Sequence, residues 1–92
     1  MTDIDIQPLV DEAYGVEVTE GTTTTNHKVT VPGWLLEELG LEETPPEEVL
    51  RESFRYMLER EPSTSILQEF SLDDIAAYFP EYFEDLKERL SS

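Results

Sequence analysis

Residues 14–32 read YGVEVTEGTTTTNHKVTVP, and the architecture of the whole chain depends on how this stretch folds. Tyr14, Val16 and Val18 alternate with Gly15, Glu17 and Thr19, and Val29 and Val31 alternate with Lys28 and Thr30. A period of two in β-branched residues puts apolar side chains on one face of an extended strand and polar ones on the other. The intervening EGTTTTN is a turn-rich link. The stretch is therefore expected to be a β-hairpin with strands at about 14–20 and 26–32. Pairing Val18 with Val29 and Val16 with Val31 brings all four valines to one buried face. That register also sets Thr19 opposite Lys28 and Glu20 opposite His27, and its turn falls at Thr23-Thr24.

On the N-terminal side, Asp3-Ile4-Asp5-Ile6 alternates as well and reads as a short edge strand closed off by Pro8. On the other side, Pro32-Gly33 stops the strand and WLLEEL starts a helix with Trp34, Leu35, Leu36 and Leu39 as its apolar residues and Gly40 as its stop. Thr44, Pro45 and Glu47 fit a capping box with proline at the first helical position. The helix they open carries Val49, Leu50, Phe54, Met57 and Leu58 at helical spacing. Its other face sets Glu47 four residues from Arg51 and Arg55 four from Glu59, and Pro62 ends it. Ser65 and Gln68 are expected to box a turn holding Ile66, Leu67 and Phe70. Ser71 and Asp74 cap LDDIAAYF, and Pro80 restarts the chain as EYFEDLKERL, with Phe83, Leu86 and Leu90 on one stripe. No repeat or long linker divides the sequence. Residues 1–92 are expected to form a single α+β domain, an N-terminal β-hairpin followed by three to four helices.

Composition narrows the function. The 22 acidic residues outnumber the 6 basic ones, leaving a net charge of −16, yet 38% of residues are hydrophobic, too many for a disordered acidic tail. The acids run from Asp3 to Glu88 rather than lying in one block, the pattern of a halophile-type protein adapted to a salty cytosol; the competing reading is a dedicated acidic surface for a basic partner or for nucleic-acid mimicry. The absence of cysteine excludes disulfides and cysteine-containing zinc sites. The acidic N-terminus lacks a secretory pattern and no apolar run reaches the ~20 residues of a membrane span, so a cytoplasmic protein without membrane contact is expected. His27 is the only histidine, the serines sit where helix caps belong, and the glycines form no phosphate-cradling loop. Neither enzymatic activity nor a catalytic residue, cofactor or metal is expected.

One cluster invites contact. Tyr78, Phe79, Tyr82 and Phe83 flank Pro80, and such closely spaced aromatics point to more than one face of a helix. Packing Phe79 and Phe83 inward leaves the two tyrosines half-exposed. As a contact surface for a protein partner or a second copy of the chain, the candidate residues are Tyr78, Tyr82 and Phe83.

VTVPGWLLEELG followed by TPPEEVLRESFRYMLE resembles the ribbon-helix-helix DNA-binding proteins. These share a strand of the form V-x-[VL]-P, a first helix beginning at that proline, and a second helix rich in E-x-[LI]-R-E-[AS]. The matching residues are Val29, Val31, Pro32, Leu35, Leu36, Leu39, Glu48, Leu50, Arg51, Glu52 and Ser53, within residues 27–60. The resemblance implies a dimeric ribbon whose Lys28 and Thr30 point into the major groove, with a phosphate clamped at the start of the second helix. The residues themselves favour another use. Pro45 and Pro46 have no N–H to offer a phosphate, Glu47 and Glu48 repel one, and the ribbon carries a single base. The expectation from the sequence is a small acidic, non-enzymatic domain that acts through protein–protein contacts, as a homodimer or with another protein, and has no nucleic-acid partner. The alternative is a ribbon-helix-helix-like DNA-binding transcriptional regulator.

Overall fold

In the computed structural model, which describes residues 2–91 and the side chains of residues 2–90, residues 2–30 form an antiparallel meander. Strands β1 (Thr2–Pro8), β2 (Ala13–Glu20) and β3 (Thr23–Thr30) lie side by side in that order. Helices α1 (Gly33–Glu38) and α2 (Pro46–Leu58) follow, then a 3-10 turn at Ser63–Ser65. The chain returns to the sheet as the three-residue strand β4 (Glu69–Ser71), parallel to β3, and ends in α3 (Leu72–Tyr78) and α4 (Tyr82–Ser91). The α+β class and the helices after the hairpin agree with the sequence reading. The hairpin itself belongs to a four-stranded sheet, and β3 takes both of its neighbours from its own chain.

The register differs from the expected one by four residues. Val16 faces His27, Val18 faces Thr25 and Tyr14 faces Val29. All four valines are nevertheless buried on one face, because a slip of four is even and side-chain direction repeats every two residues. The turn chooses between the even registers. Gly21 has φ of 60° while Thr22 does not have positive φ, and Glu20 faces Thr23. A two-residue loop with glycine first, in the left-handed region, matches the twist of the strands it joins. The expected turn at Thr23-Thr24 would have asked a β-branched residue for that geometry. The hairpin therefore closes two residues earlier than expected, and Thr23 and Thr24 enter β3.

Two local signals at the helix starts fare differently. The Thr44–Glu47 capping box does not form, and the N-cap of α2 is Pro45 with no side-chain bond. A residue before proline is pushed to extended backbone, so Pro45, at ψ 135°, cannot be helical and Pro46 becomes the first helical residue. At α3 the expected box does form between Ser71 and Asp74, with the Asp74 carboxylate accepting the Ser71 N–H at 3.0 Å. Gly40, at φ 71°, ends α1 as expected. The Leu41 N–H reaches the Leu36 carbonyl and the Gly40 N–H the Glu37 carbonyl, which satisfies the last carbonyls and turns Leu41 into the core. The turn expected around Ser65 and Gln68 is instead the 3-10 turn running into β4.

The helices cover only one face of the sheet. Val16, Val18 and Val29 pack there with Leu50, Phe54, Met57, Leu72, Ile75, Tyr82 and Leu86. The opposite face is polar and open, carrying Asp3, Asp5, Gln7, Glu17, Asn26 and Lys28, all exposed, with Asp5 directly opposite Glu17. At the sheet edge, the Arg51 guanidinium donates to the Ile4 carbonyl at 2.8 Å. This occupies an acceptor on β1 that a second strand would otherwise use.

Candidate functional site

The structure separates the three candidate contact residues. Tyr78, at the end of α3, is 68% exposed. Tyr82 is fully buried, so it belongs to the core and is withdrawn from any contact surface. Phe83 is half-buried against it, with ring centroids 5.3 Å apart. Tyr82 is inward because α4 starts at that residue, which places Tyr82 and Leu86 one turn apart on the face toward α2. A buried phenol needs a partner, and Ser53 of α2 supplies it at 2.5 Å. The single proton of Ser53 already goes to the Val49 carbonyl at 2.7 Å, so Tyr82 is the donor in this pair. Burial pushes the Tyr82 phenol well above its ordinary pKa, and a bond in which the neutral phenol is the donor gives ionisation no help.

Tyr78 stands at the rim of a groove that sequence reasoning did not assemble. Met57 of α2 and Glu61 just beyond it, Ile66, Leu67 and Phe70 around β4, and Ile75 and Phe79 in and after α3 line an open groove of about 130 Å³. Leu67 forms the other rim and is 50% exposed. Its sequence signal was the adjacent pair Ile66-Leu67, since neighbouring apolar residues in an extended segment cannot both face the core. Here Ile66 is buried and Leu67 is not.

His27 holds the Leu67 wall in place. The ring is only 5% exposed, centred 5.4 Å from the Phe54 ring. Its Nδ1 lies 2.7 Å from the Leu67 carbonyl and its Nε2 lies 2.9 Å from the Thr25 hydroxyl. A carbonyl only accepts, so Nδ1 carries the proton in that bond. The side chain is a tie between β3 and the segment entering β4. The Lys28 N–H, donating to the Gln68 carbonyl at 2.7 Å, adds a second tie beside it.

Charge is distributed unevenly around the groove. Most of the arginines serve the seam between α2 and α4. Arg89 lies 2.8 Å from Glu59, 3.3 Å from Asp85 and 3.8 Å from Glu52, and Arg55 lies 2.6 Å from Glu52. Arg60 sits over the Tyr56 ring at 3.6 Å and reaches Glu59 and Asp85. Two expected pairings, Glu47 with Arg51 and Arg55 with Glu59, are not among these, because Arg51 turns to β1 and Arg55 to Glu52. The Arg89 hydrogen bond holds the Glu59 carboxyl below its ordinary pKa. On the groove rim, Glu61 and Asp74 form no ion pair among the described residues.

Lys28 and Thr30, the residues singled out for DNA contact, lie on the open face of β3. Lys28 is 3.9 Å from Glu69 across the β3–β4 pair, and the Thr30 carbonyl lies 3.5 Å from the Ser71 hydroxyl. Among the described residues no three of His, Cys, Asp and Glu come together to hold a metal, and no helix is long and apolar enough to cross a membrane. Nor do known proteins offer a template. The chain matches no family model, no curated protein and no solved structure.

Proposed function

We propose that this chain is a non-enzymatic protein-contact domain and that the groove between Leu67 and Tyr78 is where contact is made. The observation that carries this reading is the rim itself. Two large apolar side chains, 50% and 68% exposed, flank a mainly apolar groove of about 130 Å³, whereas the other exposed large apolar residues, Leu9, Val10 and Trp34, are not part of its lining. Exposed apolar groups gathered around a concavity, with polar residues beyond them, are the usual make-up of an interaction site, whereas scattered ones need no explanation. The basic residues support the same reading. Arg51, Arg55, Arg60 and Arg89 are engaged by acids or carbonyls of their own chain, Lys28 lies beside Glu69, and Lys87 is a single exposed base on α4. They make no positive stripe of the kind that nucleic-acid binding draws on.

The test is positional. A photo-crosslinking amino acid placed at Tyr78 or, as a control, at Thr24 on the distal hairpin is activated in cells producing the protein. The expected result is a discrete polypeptide adduct from position 78, lost when Leu67→Asp is added, and none from position 24. Equal labelling from both positions, or none from either, would remove the assignment.

A further inference from the structure

Building on that reading, we propose that the occupant of the groove is a short basic segment of another protein. It seats one aromatic or large aliphatic side chain between Leu67 and Tyr78 and lays Lys or Arg along Glu61 and Asp74. Three observations fix this choice.

The first is size. An open groove of about 130 Å³ approaches the ~150 Å³ of an engineered apolar cavity that binds benzene. The groove therefore takes one ring or one branched aliphatic side chain. It is too small for the face of a second helix with several anchors in a row.

The second is charge. The acids of the α2–α4 seam are matched by Arg55, Arg60 and Arg89, while Glu61 and Asp74 at the groove are left unmatched among the described residues. Asp74 spends one carboxylate oxygen on the Ser71 N–H and keeps the other. Two carboxylates beside an apolar hole on a chain of net charge −16 attract a cationic segment and repel an anionic one.

The third is symmetry, which argues against a second copy. In a two-fold dimer the same patch meets itself. Glu61 and Asp74 of one chain would then face Glu61 and Asp74 of the other, across an interface that also brings two chains of −16 together. The same acids are complementary to Lys and Arg, so one set of residues selects for a basic partner and against self-association.

The experiment measures anisotropy of labelled nine-residue peptides, in salt that keeps the domain folded. One peptide has a central Phe flanked by Lys and Arg; the others replace Phe with Ala, or the bases with Glu. Free indole serves as a ring without a peptide. Tyr78→Ala and Leu67→Ser change exposed residues, and Glu61→Lys reverses one rim charge; each variant is first checked by its melting temperature. The expected result is saturable binding of the basic Phe peptide alone. Tyr78→Ala should weaken it on the order of tenfold or more, as loss of a central anchor does, and Glu61→Lys or added salt should weaken it further. Equal binding of the Glu-flanked peptide would overturn the basic occupant and leave the contact reading standing. So would failure of every peptide while the adduct at position 78 still forms. Binding of indole alone, or concentration-dependent dimerisation abolished by Tyr78→Ala, would overturn the occupant and recast the site. Neither adduct nor peptide binding would overturn both.

Discussion

Ser53 and Tyr82 sit together with no exposure to solvent, and their bond has a direction that mutation can expose. Ser53 donates to the Val49 carbonyl and accepts from the Tyr82 hydroxyl. Ser53→Ala removes the acceptor and leaves a phenol buried without a partner, which costs about 1–3 kcal/mol. Tyr82→Phe leaves Ser53 still bonded to Val49, so the loss is nearer the net value of one hydrogen bond, about 0.5–1.5 kcal/mol. The double variant buries no unpaired phenol and should cost less than the sum of the two. For a domain of this size each kcal/mol moves the melting temperature by about 4–8 °C, so thermal unfolding followed by circular dichroism resolves all three. A second readout comes from alkali. The folded-state pKa of Tyr82 lies above the unfolded value, so its contribution is intact below about pH 10 and falls as pH rises beyond it. Tyr82→Phe should remove that alkaline loss. The assignment fails if Tyr82→Phe costs more than Ser53→Ala, or if the two effects simply add.

Four other outcomes are expected. Gly21→Ala should destabilise by about 1–2 kcal/mol from backbone strain alone, since a Cβ at that position meets nothing within 4 Å, and alanine at Thr24 should be milder; equal costs would move the turn. The melting temperature should rise strongly from low to molar monovalent salt, because −16 on one small domain repels itself; a flat profile would contradict salt adaptation. In Arg89→Met, carboxyl NMR should show Glu59 titrating higher than in the parent. Glu59 is lowered in the folded state, so its stabilising pairing holds above the ordinary carboxyl pKa and fades as pH falls through its folded value; an unchanged titration would mean the pair is absent in solution. Duplex DNA at physiological salt should bind no more tightly than the non-specific range of ~10⁻⁴–10⁻⁶ M, and nanomolar binding abolished by Lys28→Ala would contradict this.

The faces of the elements could be read from the sequence, while their pairing could not. Alternation placed Val16, Val18, Val29 and Val31 correctly because burial depends on parity, and parity survives any even slip. The register needed the φ of Gly21, which a run of four threonines after it concealed. Helix stops at Gly40, Pro62 and Pro80 were legible because each acts within a few residues. Strand β4 was not, because Glu69–Ser71 forms a strand only by lying along β3, some 40 residues away. The groove shares that origin. Tyr78 was singled out as an aromatic beside a proline, but its opposite wall, Leu67, is brought there by β4 and by the His27 tie. Tyr82 was misplaced because its hydroxyl suggested a half-exposed position, and the partner that lets it be buried lies on another helix.

The parallel attachment of β4 also bears on the order in which the molecule assembles. The meander of β1, β2 and β3 closes through short loops, whereas the His27–Leu67 bond joins residues 40 apart and β4 contributes only three residues to the sheet. Long closures are entropically dearer than short ones and form later, and short, weakly tethered pieces open at lower free energy than the sheet they join. The Leu67 wall is therefore expected to form late and to detach early. The Lys28 amide, bonded to Gln68, should exchange its hydrogen faster than the amides between β2 and β3. A segment that fills the groove would slow that exchange, and so would tie the recognition of a partner to completion of the fold.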